Sequence, residues 1–174
     1  SGKGGAALKG NRGQAVLELA FQIPVILMLM FAGVQIARVI YVYHALQKAL
    51  RGGAGLLART VNVNYCDAAD LSLADAKNFM VYGNLQGSGD PVVGGLTTDM
   101  IQISPERRDP ATTTVNECPC NEDAESCDTS MGGHVPDFVV VRLGNGFPLQ
   151  VPFPFVNIGA INLQVAVRMP VTGS

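Results

Sequence analysis

Arg12-Gly13-Gln14-Ala15-Val16-Leu17-Glu18-Leu19-Ala20 leads into an apolar run, and the reading of that run decides the fold. Leu19 to Val34 is interrupted only by Gln22, Pro24 and Gly33, and the run continues through Ile36, Ala37, Val39, Ile40, Tyr41, Val42 and Tyr43. A bilayer core of about 30 Å needs roughly 20 helical residues. Ala15 to Ala37 supplies that length, with Glu18, Gln22 and Gln35 as its strongly polar members. A carboxylate at the edge of a membrane segment is costly and calls for a partner, so Glu18 is the residue to explain.

Helical spacing carries on past the apolar run in Tyr41, Ala45, Leu46, Ala49 and Leu50, until Gly52, Gly53 and Gly55 interrupt it. Glycine weakens a helix but lets neighbours approach closely. The pattern predicts one long helix from about Gln14 to Arg59, with a break at Gly52–Gly53 as the alternative. No small-residue cleavage site follows Val34, so the helix is expected to be retained, as a membrane span or a packing helix. Lys3, Lys9 and Arg12 precede it with no acid among them. Basic flanks stay in the cytoplasm, which orients the helix N-in and C-out. Arg38, Lys48 and Arg51 on the far side reduce that asymmetry.

The 174 residues allow this helix plus one compact domain of about 100 residues. The net charge of −2 carries no nucleic-acid signature. The expected organisation is a basic leader-like segment at 1–13, the long hydrophobic helix at 14–59, and an exported α+β domain at 60–174. Within that domain Val61–Tyr65 reads as extended and Asp70–Tyr82 as a second helix. Ser72 is its expected N-cap, Asp75 its capping-box partner, and Gly83-Asn84 its end. Residues 85–97 read as a loop. Strands are expected at Met100–Ser104, Asp137–Leu143 and Ile161–Arg168, where apolar and polar residues alternate. Pro148, Pro152 and Pro154 make 147–155 an extended edge or loop. The expected core draws on Phe79, Ile101, Ile103, Phe138, Val140, Val165 and Val167.

Residues 105–135 read as a long acidic, turn-rich loop, and such loops are usually functional or pinned. Cys118, Cys120 and Cys127 are its candidate pins, with Cys66 as the fourth cysteine. An even cysteine count in an exported domain points to disulfides. Cys118 and Cys120 are separated only by Pro119 and are too close for an easy mutual bridge. One of them is therefore expected to pair with Cys127 and the other with Cys66. Free thiols in a cytosolic protein are the alternative. Zinc held by Cys118, Cys120, Cys127 and His134 fits no ligand spacing well. The acidic stretch Asn121–Asp128 lacks the regular spacing of a calcium loop and reads as solvated. His44 reads as a helix-surface residue. No nucleophile–base motif appears, and Gly87-Ser88-Gly89 lacks the setting of a phosphate loop. The sequence asks for no enzyme activity, cofactor or metal.

A basic leader, Gly13, a glutamate five residues later and Pro24 in the apolar helix together resemble the processing site of type IV prepilins. The TadE-like branch of the tight-adherence pilus family is the nearest match. The small residues at the helix exit, Ala49, Gly53 and Ala54 with Arg51, resemble that family too, and the resemblance spans about residues 12–58. It implies a structural subunit: a minor pilin or pseudopilin of the bacterial inner membrane or of an extracellular filament. The implied partners are other copies or other pilins, pilus assembly membrane proteins and a prepilin peptidase. It further implies cleavage after Gly13, leaving Gln14 as a new N-terminus whose ammonium pairs with Glu18. Pro24, which removes one backbone hydrogen bond, favours a kink or local melting as the helix packs. If residues 1–13 stay attached, Lys9 or Arg12 of a neighbouring chain is the alternative partner of Glu18. A single-pass anchored binding protein, whose Cys-pinned loop recognises a partner, is the other expected class. A metal-dependent enzyme built on the cysteine loop is a third.

Overall fold

A computed structural model describes residues 12–121, 126–152 and 159–172. Lys9, the side chains of Arg12 and Gln14, the acids Glu122, Asp123 and Glu125, and Pro154 lie outside the described residues. The fold class is α+β. Helix α1 runs unbroken from Arg12 to Leu57, 46 residues with Pro24 inside it, so the glycines at 52, 53 and 55 do not end it. At 1.5 Å per residue it is about 70 Å long.

Two different environments share that helix. From Leu46 onward its buried residues are Leu46, Leu50, Gly53, Ala54 and Leu57, spaced three or four apart along one helix face. The leucines and Ala54 enter a common core with Leu73, Ala76 and Met80 of α2 (Leu71–Tyr82) and with the sheet. Gly53 is why α1 and α2 can meet: a Cβ there would overlap Met80 Cγ and Cε. The end of α1 is closed by distant groups, which satisfy carbonyls that a helix end leaves orphaned. The Tyr65 hydroxyl donates to the Leu57 carbonyl at 3.1 Å, and Thr172 donates through its N–H and its hydroxyl to the carbonyl of Ala58.

Among the described residues there are six strands. A four-stranded antiparallel sheet has the order β2-β1-β3-β6, from β1 (Ile101–Arg108), β2 (Val115–Glu117), β3 (Phe138–Leu143) and β6 (Ala166–Pro170). Ile103 stands opposite Val141, and Val141 opposite Val167, giving one apolar row on the face toward α1 and α2. A separate hairpin pairs β4 (Phe147–Gln150) with β5 (Ala160–Leu163).

Several expectations are corrected. Val61–Tyr65 is a turn, not a strand, because Tyr65 folds back onto the helix end and the Asn64 N–H is held by Asp70. The N-cap of α2 is Asp70, which accepts from Ser72 N at 2.7 Å, so Ser72 is the capped residue rather than the cap. In β3 the core residues are Val139, Val141 and Leu143, while Phe138 and Val140 are half-buried on the other face. Arg142 points outward with them and donates to Gln102 at 3.3 Å, which sets the parity of the strand. Phe79 and Ile103 are partly buried rather than central. The acidic segment is not all loop: β1 extends through Arg108 and β2 returns along it. The expected final strand is two strands in two sheets, β5 and β6.

Candidate functional site

The first half of α1 has no covering. Thirteen large apolar side chains between Val16 and Val34 are exposed, and they lie on all sides of the helix, since 3.6 residues complete a turn. The contrast along one helix is sharp: Leu29 is 68% exposed and Leu46 0%. A soluble monomer rarely exposes more than roughly a few hundred Å² of contiguous apolar surface. Val16 to Val34 rises about 28 Å at 1.5 Å per residue, close to the roughly 30 Å of a bilayer core. This is the one helix, among the described residues, that is long and apolar enough to cross a membrane.

Gly13 and Glu18 lie in the first two turns, both exposed, and a Cβ at Gly13 would meet nothing within 4 Å. Glu18 Oε1 accepts from Gln22 Nε2 at 3.4 Å, one turn on. That partner is neutral and the contact long, so this hydrogen bond brings the carboxylate no counter-charge. Pro24 sits a further turn along with no N–H to offer the Ala20 carbonyl. Gln22 stands out in the sequence as a polar member of the span, and its spacing of four from Glu18 is the signal that pairs the two.

Gln35, another of the span's polar members, has surroundings that the pattern does not show. Among the described residues it is the first buried one along α1, 7% exposed, and its Oε1 has no hydrogen-bond partner there. Nearby, Arg38 lines a cavity of about 550 Å³ with Gln150, Val151, Pro152, Gly159 and Ala160. The domain therefore reaches down the helix to the edge of the apolar run, which pattern alone did not indicate.

The cysteines form two disulfides, Cys66–Cys120 and Cys118–Cys127. Pro119 separates two bridges that leave in different directions. With all four in disulfides, none is a thiolate for zinc. Cys118 and Cys127 are buried, whereas Cys120 is exposed and Cys66 half-buried. Around them Asp128 accepts from Asn64 Nδ2 at 2.9 Å and from Ser130 N and Oγ at 3.0 and 2.6 Å. These bonds, that of Ser130 first and that of Asn64 next, hold its carboxyl below the usual carboxylate range. Asp109 is held low in the same way, by the Thr112 hydroxyl and the Ala111 N–H. Both are acceptors for turn donors. Neither is arranged as an acid–base pair, and His134 is exposed with its N–H donating to the Ser126 carbonyl. Tyr65 is pushed up to about 12 by burial and then by the nearby charge of Asp70.

The structure thus defines a chain with one naked apolar helix and a disulfide-tied α+β domain folded around that helix's far end. Residues 13–54 match the family model described as TadE-like protein. The match covers about a quarter of the chain and falls on the stretch that carries the sequence resemblance. Neither a curated protein nor a solved structure matches the chain.

Proposed function

We propose that this chain is a pilin-like structural subunit of a tight-adherence or type IV-like pilus, or of its assembly machinery. It sits in the membrane through α1 and associates with other copies or other pilins through the same helix. One observation carries this reading: the apolar half of α1 is exposed all round, while the other half is built into the domain core. An anchor needs only the first feature. A rigid subunit needs both, because the domain must be fixed to the helix that packs. The TadE-like match over 13–54 supports the same reading.

In this account residues 1–13 are a leader, 14–59 the assembly helix and 60–174 the domain beyond the cytoplasm. A prepilin peptidase cuts between Gly13 and Gln14. Glu18 then neutralises the new α-ammonium in its own or a neighbouring chain. If the leader stays on, Lys9 or Arg12 of a neighbour takes that part. Nothing in this role requires catalysis, a cofactor or a metal.

Two measurements test it together. Intact mass with N-terminal sequencing of protein from its native membrane should find Gln14 first; an N-terminus upstream of Gly13 overturns the processing step. Glu18→Ala should impair assembly while leaving the domain folded; unchanged assembly removes the charge-pairing role. The competing reading, an anchored protein that binds a partner through its disulfide-tied loop, predicts a detergent-solubilised monomer and indifference to Glu18→Ala.

A further inference from the structure

Charge is divided unevenly along the chain. Between Ala37 and Arg59 stand Arg38, Lys48, Arg51 and Arg59 with no Asp or Glu, whereas residues 60–174 hold 13 acidic against 5 basic residues. Lys48, Arg51 and Arg59 are exposed. Lys48 projects from the side of α1 opposite the buried stripe Leu46, Leu50 and Leu57, Arg51 stands about 100° round the helix from Leu50, and Arg59 follows in the turn just past the helix end. None of the three has an ion-pair partner among the described residues.

Arg51 and Arg59 rim an open groove of about 600 Å³, with Gly52 and Gly55 in its floor and Phe79 and Met169 on its wall. Among the described residues no carboxylate lines it. Gly52 has an internal reason to be glycine, since a Cβ would lie 2.9 Å from Phe79. Gly55 has none: a Cβ there would meet only Met169 Cε, at 3.9 Å. A helix-interior glycine costs about 1 kcal/mol relative to alanine, and at position 55 the fold itself does not call for it.

We propose that this groove receives a carboxylate-bearing segment from the domain of a second copy of the chain. The basic helix face and the acidic domain are complementary, and complementary charge steers encounter and fixes register. The contact is head-to-tail, because the donating and receiving surfaces differ; repeated, it adds copies in one direction. The inference rests on the assembly reading above and names where the domains meet once the apolar helices have.

The test uses full-length protein in detergent, as an equal mixture of isotopically light and heavy chains. Arg51→Lys and Arg59→Lys retain the charge and supply amines, which a carbodiimide joins to carboxylates in direct contact. Light–heavy crosslinks from positions 48, 51 or 59 to acids within 60–174 are expected. Association should fall about tenfold on raising salt from about 0.05 to 0.5 M and by a similar factor in Arg51→Glu/Arg59→Glu. Arg51→Gln/Arg59→Gln should give a smaller loss. Circular dichroism should show all of these variants folded. Assembly that is indifferent to salt and to both double variants overturns the groove contact and leaves the assembly reading standing. Crosslinks confined to one chain, or made only to a different protein, also overturn it. A wild-type chain that never self-associates overturns the groove contact between copies; the assembly reading falls with it only when crosslinks to other pilins in native membranes are also absent.

Discussion

Gly53 of α1 lies directly beneath Met80 of α2, so close that a side chain on Gly53 would occupy the space of Met80 Cγ and Cε. Both residues are buried, and this is where the long helix is fixed to the domain. Gly53→Ala should lower stability by about 1–3 kcal/mol through overpacking, and Gly53→Leu by more. Gly55→Ala is the internal control. Its Cβ has room, and the gain in helix propensity of up to about 1 kcal/mol should raise the melting temperature or leave it unchanged. Thermal unfolding of the two alanine variants side by side checks this. Equal destabilisation of both would contradict the packing described.

The two disulfides should differ in reducibility. Cys66–Cys120 has an exposed and a half-buried sulfur-bearing residue, Cys118–Cys127 two buried ones. Mild reductant should open the first before the second, read by alkylation and peptide mass. Closing a loop of sequence separation 54 stabilises by roughly 4 kcal/mol, and one of separation 9 by roughly 2.5 kcal/mol, in the chain-entropy account. Cys66→Ser should therefore cost more stability than Cys127→Ser. Cys127→Ser should instead raise protease sensitivity within 105–135. A digestion pattern identical with and without reductant would contradict the pinning role.

Tyr65 ties the chain to the end of α1 and should leave an alkaline signature. Its folded-state pKa is raised to about 12 from 10.0. A raised pKa contributes stability that is complete below pH 10 and is lost as pH climbs through about 12. Denaturant titrations from pH 8 to pH 12 should show that decline in the native chain and a shallower one in Tyr65→Phe. Tyr65→Phe should also lose about 1 kcal/mol at neutral pH, for the hydroxyl donated to Leu57. Superimposable pH profiles would remove this account.

How far the sequence disclosed the fold depended on what each residue faces. Helix α1 was legible because exposed Leu29 and buried Leu46 are both apolar, so hydrophobicity marks the element even where its surroundings change. The same fact concealed where those surroundings change: nothing in the run separates its naked half from its packed half. In β3 four apolar residues in succession hide the parity, and the decisive residue is Arg142, whose outward position puts Phe138 and Val140 on the outer face. There the guanidinium of Arg168 lies 5.7 Å from the Phe138 ring centre. Between Ile161 and Arg168 the alternation never falters, yet the chain leaves one sheet for the other. Periodicity reports facing, not partners. Of the candidate site, the cysteines were readable as a set, since Pro119 leaves Cys118 and Cys120 no easy bond to each other. Gln35, and the groove between Arg51 and Arg59, depend on which distant segments come down onto the helix, and no local pattern encodes that.

The central claim is that the uncovered apolar half of α1 is an assembly surface and not merely an anchor. A photocrosslinking residue placed at Leu27, exposed and within the span, tests it most directly in native membranes. The account predicts adducts at the mass of two chains, or of this chain with another pilin-like subunit, and their loss in Glu18→Ala. Adducts to lipid alone, from a chain that stays monomeric in detergent, would contradict it.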